Sequence, residues 1–147
     1  MLSVSKRRFQ GGFTLIEVMV VVVILGILAA IIVPRVMGRP DEARVVRAKQ
    51  DIRALEAALG LYKLDNLEYP TTDQGLQALV TRPNDLKTGA HWKEGGYLDR
   101  LPKDPWGNEY VYLQPGTHGE YDLYSLGADH APGGDGVNAD IGNWNLN

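Results

Sequence analysis

The sequence predicts an α+β chain: an N-terminal helix whose first part is apolar enough for a membrane, more helix after it, then a small antiparallel sheet and a loop-rich C-terminal end. Three observations carry this. An uncharged, almost wholly apolar run from Val18 to Val33 follows Gly12-Phe13-Thr14-Leu15-Ile16-Glu17. Val45, Ala48, Ile52, Leu55, Leu59 and Tyr62 recur at alternating spacings of three and four. Two short runs rich in Tyr, Val and Leu flank a Pro/Gly turn.

Counted from Phe13, the apolar stretch to Val33 is roughly 21 residues. As a helix it measures about 32 Å at ~1.5 Å per residue, against a hydrocarbon core of ~30 Å. Its one charge is Glu17. An ionised side chain at that depth costs roughly 2.5–3.5 kcal/mol on insertion scales, so Glu17 needs a cation to offset it. Lys6, Arg7 and Arg8 precede the span, and the positive-inside rule keeps that end in the cytoplasm. The rest of the chain then faces the other side of the inner membrane, the periplasm in a bacterium. An ordinary signal peptide would also have a basic start, an apolar middle and small residues such as Ala29-Ala30, but its apolar region is usually only about 7–15 residues. A carboxylate also gains nothing in a segment destined for removal. The better reading is a cut between Gly12 and Phe13, which leaves the helix in the mature protein with its new α-amine about one turn from Glu17.

This divides the 147 residues into a leader at 1–12, a transmembrane helix at 13–34, and one periplasmic domain at 35–147. About 114 residues past Val33 leave room for one modest core. Without the leader, 12 basic side chains face 18 acidic ones, a net −6, which makes nucleic acid a poor partner. There is no cysteine, and so no disulfide, iron–sulfur cluster or thiol nucleophile.

Pro34 either kinks a continuing helix or ends the membrane segment, because it lacks an N–H and crowds the preceding turn. Gly38 and Pro40 loosen the join. The stripe on Asp41 to Leu64 predicts a helix with Asp41-Glu42 in its first turn. Its C-terminal half packs on its own domain, and its N-terminal half is free to face other subunits. After turn signals at Asn66 and Tyr69-Pro70, Thr72 is placed to cap a short helix carrying Leu76, Leu79 and Val80. Gly95-Gly96 and Asp104-Pro105-Trp106-Gly107-Asn108 mark irregular backbone. Glu109 to Gln114 and Glu120 to Leu126 read as strands joined by a hairpin loop at Pro115 to Gly119.

Motifs for catalysis are lacking. His91, His118 and His130 lie in separate loop-like stretches, and Ser125 has no G-x-S-x-G around it. The sequence therefore reads as a non-enzyme. From Leu126 onward, Asp129, Asp135, Asn138 and Asp140 sit among glycines. Calcium accepts such irregular mixtures of carboxylates and carbonyls, although the spacing is not that of an EF-hand. On composition alone a solvated tail fits equally well; the bounding Leu126, Ile141 and Trp144 favour an ordered loop pinned at both ends.

Charge is also unevenly placed. Residues 35–53, with Arg44 and Arg47 among them, carry a net +3, and residues 54–147 a net −8. Both are plain solvated faces, or the basic stretch of one subunit meets acidic surface on another.

The segment around Phe13 and Glu17 resembles the class III signal of type IV filament proteins, cut after Gly by a prepilin peptidase and methylated on the new N-terminal Phe. Further motifs resemble the major pseudopilins of type II secretion systems. They are Tyr69-Pro70-Thr71-Thr72-Asp73-Gln74-Gly75-Leu76-Gln77-Ala78-Leu79, Pro102-Lys103-Asp104-Pro105-Trp106-Gly107-Asn108, Ser125-Leu126-Gly127-Ala128-Asp129 and Ala139-Asp140-Ile141-Gly142-Asn143-Trp144. The resemblance implies a type IV pilin-like fold: a long N-terminal helix packed on a small antiparallel sheet, with a C-terminal calcium loop. It implies Ca²⁺ held by the carbonyls of Leu126 and Ala131 and the carboxylates of Asp129 and Asp140, with Asp135 or Asn138 as further candidates. His130 stands where the family commonly has Gly. It also implies that Glu17 pairs with the amine of a neighbouring subunit. Subunits would leave the inner-membrane lipid and polymerise on an assembly platform, with minor pseudopilins, into a helical filament that drives folded proteins across the outer membrane. A pilin of a surface or DNA-uptake pilus is the alternative in the same class, and a signal-anchored periplasmic binding domain the alternative in another.

Overall fold

The computed structural model describes residues 11–37 and 39–147. The basic leader residues Lys6, Arg7 and Arg8 and the join at Gly38 lie outside them. Two compact units meet between Arg39 and Pro40.

In the first unit, α1 spans Leu15–Met37. Thr14 and Glu17 start it reciprocally: the Glu17 N–H donates to Thr14 Oγ1 at 3.3 Å, and the Thr14 N–H donates to Glu17 Oε2 at 2.9 Å. This capping box satisfies two donors that a helix start leaves free. Val20 to Ile24 are β-branched and poor helix formers in water. In lipid, however, a helix is the conformation that satisfies every backbone group internally. The described apolar side chains of α1 are exposed on every side, from Leu15 at 78% to Leu28 at 48%. The helix runs through Pro34 to Met37, so the proline does not end it. Among the described residues no helix is long and apolar enough to cross a membrane, the described side chains of α1 reaching only to Ile31.

In the second unit, α2 spans Arg39–Asn66, with Asp41 and Glu42 in its first turn and Lys63 in its last. Pro40 is tolerated because first-turn N–H groups have no helical acceptor. The helix ends on Leu67, whose N–H reaches back to the Lys63 carbonyl at 2.8 Å from a left-handed φ of 72°. Ala48, Ile52, Leu55, Leu59 and Tyr62 are buried, and Val45 packs at the edge of the same cluster, so the predicted stripe is the core face.

The sheet facing that stripe is three-stranded and antiparallel in the order β1-β2-β3: β1 Val111–Leu113, β2 Asp122–Ser125 and β3 Ile141–Gly142. Tyr112 and Leu123, cross-strand partners, point into the cluster with Tyr110, Tyr121 and Ile141. The strands are shorter than the sequence runs. Glu109 forms an isolated bridge with Lys103 instead of joining β1. Thr72 does not cap a helix; its hydroxyl donates to the Gln114 carbonyl at 2.9 Å and accepts the Gln114 N–H at 2.8 Å. The short helix is a 3-10 turn, Leu76–Leu79, entered through Gly75 with no side-chain cap.

Candidate functional site

Two regions bear on function. The first is the start of α1. Phe13 is 92% exposed, one residue before the capping box. Glu17 is therefore not idle in the single chain: its carboxylate holds the Thr14 N–H. A cut between Gly12 and Phe13 would place a cation directly beside that box.

The second region is the loop from Leu126 to Asp140. Its ends are tied by the β2 and β3 pairing, in which Ser125 faces Ile141, and by the Ala128 N–H donating to the Val137 carbonyl at 2.8 Å. Gly127 has φ 72°, and a Cβ there would lie 2.8 Å from the Ala139 carbonyl oxygen, so entry and exit backbones touch. His130, where a glycine is usual by resemblance, takes a left-handed φ of 51°. Of the four leading candidate ligands, Asp140 has one carboxylate oxygen accepting the Gly133 N–H at 3.0 Å. Its other oxygen, Oδ1, is buried with no partner. Asp129 is exposed and accepts the Ala131 N–H at 3.1 Å. The carbonyls of Leu126 and Ala131 accept no bond in the set that closes the loop. Asp135 and Asn138 are exposed; Asp135 precedes the 3-10 turn Gly136–Asn138 and Asn138 ends it. Among the described residues no group of three or more His, Cys, Asp or Glu gathers to hold a metal. An ion here would thus draw on two carboxylates and several carbonyls, a donor set that suits calcium and not zinc or iron. A buried carboxylate oxygen without a donor is costly, and a cation bound there would offset that cost.

Beside the loop, the hairpin between β1 and β2 wraps a buried carboxylate. Asp122 accepts from the Thr117 N–H and hydroxyl at 3.0 and 2.7 Å and from the His118 N–H at 3.0 Å, and contacts His118 Nδ1 at 3.0 Å. Burial alone pushes this carboxyl up, but the Thr117 and His118 bonds outweigh it and hold it far below the usual carboxylate range. The His118 ring stacks on Trp144 at 3.8 Å between centroids, which pins the C-terminal segment. Along α2 the exposed Arg44 pairs with Asp41 at 3.0 Å, and the exposed Arg47 lies 3.9 Å from the half-buried Asp51, which also accepts the Tyr110 hydroxyl.

Residues 35–144 match the family described as type II secretion system (T2SS), protein G, and residues 7–33 match the prokaryotic N-terminal methylation motif. The chain belongs to the protein G family. The type II secretion system core protein G of Pseudomonas aeruginosa is 63% identical over 139 residues, covering 95% of this chain and 98% of the relative. That of Vibrio cholerae is 59% identical over 142 residues, covering 97% of each. A crystal structure of the major pseudopilin from the type 2 secretion system of enterohaemorrhagic Escherichia coli superposes with a TM-score of 0.64. It is 44% identical and covers 74% of this chain and 92% of that one. The helix α2 packed on the small antiparallel sheet is thus a pseudopilin arrangement.

Sequence reasoning missed the Thr14–Glu17 box, although T-x-x-E before an apolar run announces one. It also missed that Asp122 gathers Thr117 and His118 and that Asp104 meets Ser125; the last two lie within motifs noted above, but their contact joins separate stretches of the chain.

Proposed function

We infer that this chain is the major structural subunit of a type II secretion pseudopilus, a periplasmic filament whose growth moves folded proteins across the outer membrane. The observation that carries this reading is a helix with apolar side chains exposed on every side and a single carboxylate at its start, in a chain of the protein G family. Exposed apolar surface of that extent needs a non-aqueous neighbour. Before assembly it is lipid, with Lys6 to Arg8 on the cytoplasmic side; after assembly it is the helices of other subunits.

A prepilin peptidase removes residues 1–12, and the new Phe13 amine is methylated. Glu17, desolvated among apolar side chains, then pairs with the Phe13 amine of a neighbouring copy, which offsets the cost of burying either charge. Arg44 and Arg47 keep exposed guanidiniums, and their own-helix ion pairs are worth only about 0–1 kcal/mol, so an acidic surface on a neighbour competes readily for them. The C-terminal loop takes Ca²⁺ through Asp129, Asp140 and the Leu126 and Ala131 carbonyls; a divalent cation converts the repulsion of two carboxylates into attraction. Minor pseudopilins and an inner-membrane platform are the remaining partners.

Mass spectrometry of the protein purified from membranes tests the reading at its start. The expected species begins at Phe13 and carries one methyl group. A chain beginning at Met1, or one shortened to a point after Ala30, overturns it.

A further inference from the structure

We propose that Asp104 and Ser125, neither of them a ligand, aim the Leu126 carbonyl into the calcium loop. The inference rests on reading residues 126–140 as a calcium site.

Both side chains are buried, Ser125 at 0% and Asp104 at 3% exposure. Asp104 opens a turn in a different part of the chain. Its Oδ1 accepts the N–H groups of Trp106 at 3.1 Å and Asn108 at 2.8 Å, and its Oδ2 accepts the Ser125 hydroxyl at 2.7 Å. The turn needs only Oδ1. The second oxygen is committed to Ser125, so the hydroxyl proton points at Asp104 and an oxygen lone pair is left for another donor. That donor is the Gly127 N–H, at 3.2 Å from Ser125 Oγ.

The Gly127 N–H and the Leu126 C=O belong to one peptide unit. In a planar trans peptide the two bonds point in opposite directions. Holding the N–H on Ser125 therefore fixes the direction of the Leu126 carbonyl, the first backbone ligand of the loop. The same glycine is pressed against the other end of the loop: a Cβ on Gly127 would lie 2.8 Å from the Ala139 oxygen and 2.9 Å from the Asn138 carbonyl carbon. Asp140 follows directly. One buried relay thus sets a carbonyl ligand at the loop's entry and bears on the backbone that presents the carboxylate at its exit. Groups outside the ligand shell that orient ligands typically change metal affinity by roughly 10–100-fold when removed.

The test uses the full-length protein in detergent, titrated calorimetrically with calcium chloride and melted in excess chelator. Ser125→Ala is expected to weaken calcium binding at least about tenfold. Asp104→Asn keeps the 104–108 turn through its Oδ1 but leaves the serine proton without an acceptor, and weakens binding in the same direction. Ser125→Thr keeps the hydroxyl and is expected to keep affinity within a few-fold. Tyr112→Phe is the control, because it deletes a buried hydroxyl that donates to the Pro70 carbonyl at 2.7 Å, outside the Asp104–Ser125 relay. It should lower the melting temperature in chelator and leave calcium affinity unchanged. If wild type binds calcium and Ser125→Ala binds it equally well, while melting lower in chelator, the relay is only structural and the proposal falls while the calcium reading stands. If Ser125→Ala does not fold, Asp104→Asn decides by the same comparison. Absence of any calcium heat in wild type overturns the calcium reading, and this inference with it.

Discussion

At the residue scale the two carboxylates with the clearest duties are satisfied in opposite ways. Asp122 has three donors from Thr117 and His118 and a further contact with His118 Nδ1, and its folded-state pKa is depressed although burial opposes that. In the unfolded chain an Asp titrates near ~3.9. A depressed folded pKa means that the unfolded state binds the proton first. The stabilisation is therefore complete above the unfolded pKa and is lost as pH falls below about 4. Melting temperature should drop steeply on acidification in that range. Asp122→Asn should flatten the drop and cost about 1.5–3 kcal/mol at neutral pH, the worth of hydrogen bonds to a charged group; chemical denaturation across pH measures both. Glu17 has one backbone donor and no cation of its own in the described chain. On the proposed filament reading, replacing it with Val removes the cost of an intramembrane charge and also the partner for a neighbour's amine. Glu17→Val should anchor as well as wild type in membrane fractionation and yield far fewer filaments by electron microscopy; filaments of normal number and length would remove Glu17 from assembly.

At the element scale α2 offers a matched comparison. Leu59 is fully buried on the core stripe, whereas Leu61, two residues on, is 52% exposed. Leu59→Ala should cost about 2–5 kcal/mol, since burial is lost and a cavity is left. Leu61→Ala should stay within roughly 0.5 kcal/mol in the unassembled subunit. Urea melts of the two variants check this directly. The stripe was legible because a period of three and four over five turns has one physical solution, a helix with one buried face. The sheet was only partly legible. β1 and β2 announce themselves by Tyr, Val and Leu, but their ends depend on Thr72 capturing Gln114 and Lys103 pairing with Glu109, contacts that no local pattern marks. β3 is two residues, Ile141–Gly142, too short for any alternation to register. The loop's acidic residues stood out by composition. Asp104 did not stand out as a partner of the loop, because its link to Ser125 spans 21 positions and exists only once the chain has folded.

At the scale of the whole molecule, the proposed calcium loop would set how much of the domain's stability comes from outside the chain. The loop's ends are tied by the chain's own contacts: the Ser125 and Ile141 pairing, the Ala128 to Val137 bond and the close approach of Gly127 to Ala139. Residues 128–136 are exposed, and Ala131 and Gly133 are tied chiefly through the Asp129 and Asp140 carboxylates. Calcium removal should therefore loosen the middle of the loop and spare its ends. Binding to the folded state alone stabilises by RT ln(1 + [Ca²⁺]/Kd), roughly 2.7 kcal/mol at a hundredfold excess over Kd. Small domains have only about 5–15 kcal/mol in total. Excess chelator should accordingly lower the melting temperature by several degrees and open the chain to protease near Asp129 to Asp135, while Ile141 and Trp144 remain protected. Asp140→Ala should reproduce the melting loss and make the protein indifferent to chelator, since it removes the carboxylate whose buried oxygen lacks a partner. Melting curves in calcium and in chelator, with limited proteolysis read by mass spectrometry, decide the matter. Equal melting in both would leave the loop's own backbone bonds as the whole of its support.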